Sequence, residues 1–196
     1  MTKERWHSRK TKLIVEGALS DYAQVHETRY VSLRYSNAAG AADSGEIGED
    51  HEPETHLIPL AVLAAMGKRA HLEIYGTDYP TDDGTAVRDY IHVSDLADAY
   101  VLALQHLLSG GESVSLNLGT GKGYSVRQII AAVEAVSGET ILVQEGPRRL
   151  GDPPILIADP SRAFDFLQWE PHCSDLPQIV TSAFHWHRRH IGGGHA

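Results

Sequence analysis

Tyr75-Gly76-Thr77-Asp78-Tyr79-Pro80-Thr81-Asp82-Asp83-Gly84-Thr85-Ala86-Val87-Arg88-Asp89-Tyr90-Ile91-His92-Val93 packs three turn formers, four aspartates, three tyrosines and one arginine into a span too short to bury them all. Glycine adopts positive φ at no steric cost and proline pre-sets φ, so Gly76, Pro80 and Gly84 predict a rigid, shaped loop. Ala86 to Val93 then reads as a strand, with Arg88 at its start, where the loop meets a sheet. A rigid loop delivering one arginine can clamp a phosphate or a carboxylate bidentately. An ordinary hairpin with Arg88 paired to Asp89 or Asp83 fits the same residues. The chemistry of this stretch alone leaves both open.

The chain around it has 196 residues, enough for one domain with a core. Its 42% apolar and 22% charged residues are ordinary for a soluble globular protein. A net charge of -9 argues against nonspecific nucleic-acid or anionic-membrane binding, both of which need a basic face. Lys3, Arg5, Arg9, Lys10 and Lys12 crowd the first residues, whereas Asp43, Glu46, Glu49, Asp50, Glu52 and Glu54 form an acidic run that reads as a solvated loop. Cys173 is the single cysteine, which excludes a disulfide framework and a cysteine zinc site. No segment approaches the apolar length of a membrane span and no apolar signal core opens the chain, so a cytoplasmic protein is expected.

Lys10 to His26 reads as a helix with Val15, Ala18, Leu19, Tyr22 and Ala23 along one face. Tyr30 to Tyr35 reads as a strand, residues 41–55 as a polar loop, and Leu57 to Met66 as a helix with Pro59 in its first turn and Gly67 past its end. A short strand from His71 leads to Tyr75. Ser94 is the expected cap of a helix whose buried stripe is Leu96, Tyr100, Leu104 and Leu107, stopped by Gly110-Gly111. Val114 to Leu118 is a strand, and Ser125 with Gln128 predicts a capping box for a helix ended by Gly138. Short strands at Ile141–Val143 and Ile155–Ile157, helices opening at Asp159-Pro160 and Ser174, and a frayed tail at Gly192–Ala196 complete the reading. Alternating helices and strands favour α/β with parallel pairing.

Gly119-Thr120-Gly121-Lys122-Gly123 lies between a strand and a helix, where a dinucleotide fingerprint sits, but Tyr124 stands where G-x-G-x-x-G needs its third glycine. We read it as turn chemistry. Arg148-Arg149-Leu150-Gly151-Asp152-Pro153-Pro154 fits either a phosphate-holding loop or a surface ion-pair loop. Asn37 follows a strand at the end where open α/β sheets place ligands, and it also suits an ordinary strand-ending turn. The histidines at His92 and at 185–190 lack a completing carboxylate or cysteine at metal spacing, and no metal site is expected in this chain. No Gly-x-Ser-x-Gly elbow supports a serine hydrolase.

The Tyr75–Val93 run resembles the signature of UDP-glucose 4-epimerases, extended short-chain dehydrogenase/reductase enzymes of the NAD-dependent epimerase/dehydratase family. Arg148-Arg149-x-Gly-Asp152 and Leu33-Arg34-Tyr35-Ser36-Asn37-Ala38-Ala39-Gly40 are similar to two further motifs of that family. The resemblance implies a substrate site in which Arg88 and Asn37 contact the nucleotide diphosphate and Arg149 and Asp152 contact the UDP moiety. It places Tyr75 beside the uracil and His56 and Leu57 on the uridine side. Ser36 takes a cofactor-lining position that is Phe in the family. Thr11-Lys12-Leu13 resembles the start of the family's Tyr-x-x-x-Lys helix, so Lys12 is the implied catalytic and cofactor-binding lysine. Ser8 occupies the place of the tyrosine, and a serine hydroxyl lacks the acidic phenol such a base requires.

The resemblance runs from about Thr11 to His190 and implies the C-terminal half of such an enzyme. Residues 1–40 correspond to a remnant of the NAD-binding Rossmann domain and 41–196 mainly to the UDP-sugar-binding lobe, with the strand and helix at about 114–137 returning to the Rossmann sheet. The complete enzyme interconverts UDP-glucose and UDP-galactose through a 4-keto sugar, with NAD as cofactor. Alone, this chain is expected to hold no NAD tightly and to be inactive. The alternatives are a 4-epimerase of another UDP-sugar or a non-catalytic module that binds UDP-sugar or pairs with a complete homologue. The strand at 30–35 is expected to lack a neighbour on one side, which favours self-association, as a homodimer or with such a homologue.

Overall fold

The computed structural model describes residues 3–191, with side chains from 10 to 190. The expected tail at 192–196 and the side chain of Ser8 lie outside the described residues. Strands of two to four residues pair mostly in parallel, as the alternation of elements leads one to expect. β1 (Val31–Arg34) runs parallel to β6 (Val114–Asn117), β2 (Asn37–Ala39) to β5 (Tyr90–His92), and β3 (Leu72–Tyr75) to β8 (Val143–Gly146). β4 (Val87–Arg88) is parallel to β9 (Ile155–Leu156) and antiparallel to β7 (Tyr124–Ser125). Among the described residues six helices join them: α1 (Lys3–His26), α2 (Leu57–Ala65), α3 (Val93–Leu108), α4 (Val126–Ser137), α5 (Ser161–Leu167) and α6 (Leu176–Ile191).

Local signals account for where several helices begin and end. Ser125 Oγ accepts from the Gln128 amide at 3.1 Å while Gln128 Oε1 accepts from the Ser125 amide at 2.8 Å, the expected capping box of α4. Such a cap contributes about 1 kcal/mol. Gly138 ends α4 with φ 75°, a left-handed conformation that favours glycine. Ile129, Ile130 and Val133 point inward from this helix and meet Ile58 and Val62 of α2, Ile74 of β3, and Ile179 and Val180 of α6. A second cluster joins Ile91, Leu96, Ala99, Leu116, Leu118, Ala163 and Trp169 across β5, β6, α3 and α5. Of the pair at 114–137, the strand β6 lies beside β1, while the helix α4 belongs to the cluster with α2 and α6.

The structure corrects several expectations. Residues 86–93 are two strands, β4 and β5, interrupted at the buried Asp89. The cap of α3 is His92, whose Nδ1 accepts from the Ser94 amide at 3.1 Å. The buried face of α3 is Leu96, Ala99 and Ala103, whereas Tyr100 and Leu104 are 52% and 57% exposed beside Val101 and Leu108. Alanines let the helix approach the strands closely and turn the larger residues outward. The strand expected at 141–143 forms instead at 143–146, because Ile141 is spent on the core.

α1 begins at Lys3, earlier than expected, and leaves Leu13, Ile14, Val15, Tyr22 and Val25 exposed. Its fastening is polar. The Glu16 carboxylate accepts from Ser32 Oγ at 3.0 Å and from Arg34 Nε at 2.8 Å, and hydrogen bonding from Arg34 holds the Glu16 carboxyl below the usual range. Among the described residues, the sole strand partner of β1 is β6.

His92 is completely buried and His187 is 3% exposed. Burial pushes both imidazoles below their ordinary pKa. The unfolded chain therefore binds protons before the folded one does, and the stability these groups contribute is present above about pH 6.5 and lost as pH falls through their depressed folded values. We expect the urea midpoint to drop between about pH 7.5 and about pH 5.5. A midpoint constant over that interval would show that neither imidazole stays neutral in the fold.

Candidate functional site

The loop between β3 and β4 is held by its own atoms. Tyr79 N donates to the Gly84 carbonyl at 2.9 Å, Thr81 N to the Tyr79 carbonyl at 2.8 Å, and Thr81 Oγ1 to the Thr85 carbonyl at 2.7 Å. One oxygen of Asp83 accepts from the amide and hydroxyl of Thr85 at 2.9 and 2.7 Å, and the other from Ser125 Oγ. Burial raises the pKa of Asp83, but these hydrogen bonds outweigh it, and the net direction is down. Gly84 adopts φ 77°, and a Cβ there would lie 2.1 Å from the Thr77 carbonyl oxygen. This is the rigid loop that its glycines and proline predict.

A second loop, 147–154, is fastened to both ends of the first. At its start, Tyr75 lies opposite Gly146 in the parallel β3–β8 pair, and Gly76 N donates to the Gly146 carbonyl at 2.9 Å. At its end, Val87 N donates to the Pro154 carbonyl at 2.8 Å and Arg88 lies opposite Leu156. Residues carried by 147–154 are thereby set along the span from Tyr75 to Arg88. The Arg149 guanidinium sits 3.7 Å from the centroid of the Tyr75 ring. Arg148 sits 4.4 Å over the Tyr79 ring and donates through Nε to Asp78 at 2.6 Å. The two adjacent arginines thus divide their work: Arg148 makes the ion pair and Arg149 lies on the aromatic ring. Asp152 is tied to Arg149 through its amide, which donates to the Arg149 carbonyl at 3.2 Å.

At the far end of the span, Arg88 donates to its neighbour's carbonyl, Val87 O, at 2.7 Å. Asn37 Nδ2 donates to the Asp89 carbonyl at 2.9 Å and to Ser36 Oγ at 2.7 Å. Tyr75, Arg149 and Asp152 are thus carried by two loops that are hydrogen-bonded to each other at both ends, with Arg88 at the far end and Asn37 bonded to the carbonyl of the residue after it. Leu57 opens α2 and packs against the first core cluster, whereas the His56 ring turns to the acidic loop and binds Glu49. Ser36 is exposed beside Asn37. Lys12 is exposed on α1, one turn before Glu16, and that helix reaches the sheet through Ser32 and Arg34.

Asp89, which the motif offers as a partner for Arg88, has further partners that the motif does not disclose. It is 2% exposed, and its carboxylate accepts from Thr120 N at 3.1 Å, Thr120 Oγ1 at 2.8 Å, Gly121 N at 3.2 Å and Ala158 N at 3.3 Å. Two amides of the 119–123 turn, those of Thr120 and Gly121, are thus turned to a carboxylate of the chain itself rather than to a phosphate. Gly119 is required there because a Cβ would come within 2.5 Å of Asp89 Oδ2. The available signal was a carboxylate directly after Arg88, at the point where a strand pattern met a glycine-rich turn elsewhere in the chain. Next to it, burial pushes the Tyr90 phenol up to about 12.

Residues 9–119 match the NAD dependent epimerase/dehydratase family. Among curated relatives, the chain is 53% identical over 180 residues to a UDP-glucose 4-epimerase of Rhizobium leguminosarum bv. trifolii, covering 92% of this chain and 55% of that one. Among solved structures, a UDP-glucose 4-epimerase from Brucella ovis in complex with NAD superposes with a TM-score of 0.86 at 51% identity, over 89% of this chain and 54% of that one. The enzyme of the same name from Bifidobacterium longum, in complex with NAD+ and UDP, superposes with a TM-score of 0.87 at 38% identity, over 94% and 55%. The chain thus spans about half the length of the relatives it matches.

Proposed function

The chain belongs to the NAD dependent epimerase/dehydratase family, and we propose that it supplies the UDP-sugar-binding part of a protein that interconverts UDP-glucose and UDP-galactose. The observation that carries this reading is the Arg149 guanidinium on the Tyr75 ring, at one end of a pair of loops whose other end carries Arg88, with Asn37 bonded beside it. An aromatic ring with a guanidinium over one face suits a nucleobase and its phosphates, because an aromatic contact and bidentate donation come from adjacent groups. In this proposal Tyr75 flanks the uracil, Arg149 and Asp152 hold the nucleotide, and Arg88 and Asn37 take the diphosphate. His56 and Leu57 approach the uridine side at the start of α2. Residues 1–40 belong to the cofactor domain and most of 41–196 to the substrate lobe.

NAD is the cofactor of the proposed full-length reaction, yet the described residues do not by themselves fit it. The one strand-to-helix turn with the right composition spends its amides on Asp89, and only Lys12 and Ser36 remain as cofactor-side candidates. The chain alone should release no stoichiometric nicotinamide on denaturation; nicotinamide in equal amount to protein would reopen the 119–123 turn as a phosphate site.

Calorimetric titration of UDP into the wild type, Arg88→Ala and Arg149→Ala tests the binding proposal. Each charge-assisted contact is worth about 1.5–3 kcal/mol, so either variant should bind roughly ten- to a hundredfold more weakly. A folded wild type without UDP affinity, or equal affinity in all three proteins, would make both arginines structural.

A second reading, subunit pairing, is favoured by the exposed apolar residues of α1 and α3. Exposed apolar side chains gathered on a contiguous face mark interaction surfaces, and Val101, Leu104 and Leu108 recur at helical spacing on α3. Light scattering during size exclusion should report a homodimer, or a complex with a complete homologue when the two are mixed; a monodisperse monomer in both cases would remove this reading.

A further inference from the structure

The acidic run does not stay a uniformly solvated loop. Its last part, with the residues just beyond it, draws Glu49, His51, Glu54 and His56 together, so that one donor atom from each lies within 4.8 Å of the others. We propose that these four residues form a binding site for a zinc-like divalent cation, adjoining the proposed UDP site at His56 alone.

The geometry supports four ligands. Glu49 Oε1 lies between two imidazoles, 3.0 Å from His51 Nδ1 and in contact with His56 Nδ1. Glu54 Oε1 lies 3.6 Å from the same His56 Nδ1. Ligand atoms bonded at roughly 2.0–2.1 Å to a tetrahedral zinc stand about 3.3 Å apart, and the measured separations bracket that value. Two imidazole nitrogens with two carboxylate oxygens suit zinc, while calcium and magnesium need more oxygen donors than are present.

The carboxylate side of the site is built rather than loose. Glu54 is only 9% exposed and is held by the amides of Thr55 and His56 at 2.6 and 2.7 Å. Glu49 is 19% exposed, whereas the two histidines are more than half open, which leaves an entry path. The surrounding potential favours a cation, since Asp50 and Glu52 add charge without a base in the run. Behind it, His187 is 3% exposed, feels the charges of Glu54, Glu49 and Asp50, and has a buried Nδ1 with no partner. On binding, each imidazole gives up the Nδ1 proton it shares with Glu49, to solvent from an imidazolium or by tautomer exchange to Nε2 in the neutral ring, so the hydrogen bonds to Glu49 are exchanged for bonds from Nδ1 to the ion.

The test is titration of the chelator-stripped 196-residue chain with Zn2+ and with Co2+. The expected result is about one equivalent bound, visible ligand-field bands of a four-coordinate cobalt site, and a higher melting temperature with zinc. His51→Ala and His56→Ala should each weaken binding at least roughly tenfold. His51 is surface-exposed, so its variant keeps the fold by circular dichroism and should bind UDP as the wild type does. Failure of UDP binding therefore leaves the metal test intact. A folded wild type that binds neither ion would overturn the proposal. So would undiminished binding in both variants, which would move the metal to the histidines of α6.

Discussion

Asp89→Ala is expected to lower the stability of the chain by roughly 3–5 kcal/mol, a large share of the 5–15 kcal/mol typical of a whole domain. The carboxylate is buried and accepts from three backbone amides and one hydroxyl in two separate loops. Truncation leaves those part-buried amides without their common acceptor, and each donor that water does not reach costs about 1–3 kcal/mol. The 119–123 turn and the entry to α5 lose their common anchor together. Asp89→Asn keeps the volume but points an amide donor at other donors, so it should recover only part of the loss. Urea unfolding followed by circular dichroism gives the number. A change below about 1 kcal/mol for the alanine variant would mean that water replaces the carboxylate, and that the turn is held by something else.

Gly84→Ala is the second large effect, with at least about 2 kcal/mol expected. Two penalties add at this position. A side chain at φ 77° is strained, and its Cβ would meet the Thr77 carbonyl oxygen at 2.1 Å, an atom of the backbone that cannot rotate aside. Gly67→Ala separates the two, because Gly67 has a similar φ of 68° and open space around it. That control should cost about 1 kcal/mol from strain alone. UDP affinity should fall in the Gly84 variant and hold in the Gly67 variant, since only the former displaces the loop leading to Arg88. Equal losses of stability in both would show that the loop yields to the extra methyl.

These two positions also mark what the sequence discloses and what it hides. Gly84 was legible, as were the α4 capping box and the Pro59–Gly67 bounds of α2, because each depends on residues a few positions apart. Asp89 was not, since its meaning comes from amides 31 and 69 positions away. The outward face of α3 was misjudged for a related reason. Periodicity identifies a stripe, but the choice between Ala99 and Tyr100 as the inner residue depends on how near the strands lie. Residues of the candidate site were readable as motifs, while the stack of Arg149 on Tyr75 required the parallel pairing of β3 with β8. In 49–56 the density of acids concealed the alternating placement of two histidines among them.

The doubled connection from β3–β8 to β4–β9 restricts how such a chain can change its length. Two segments leave one parallel pair side by side and arrive at another side by side, so they behave as the two rails of one track. An inserted residue in either segment cannot be taken up by sliding, because both ends are pinned by hydrogen bonds to the other rail. It must bulge outward or be matched by an insertion opposite. Insertions and deletions should therefore be rare in 76–86 and 147–154, or occur in both together, while the turn after α2 is free to vary alone. Evolution can retune the side chains along the track far more readily than it can alter the gauge.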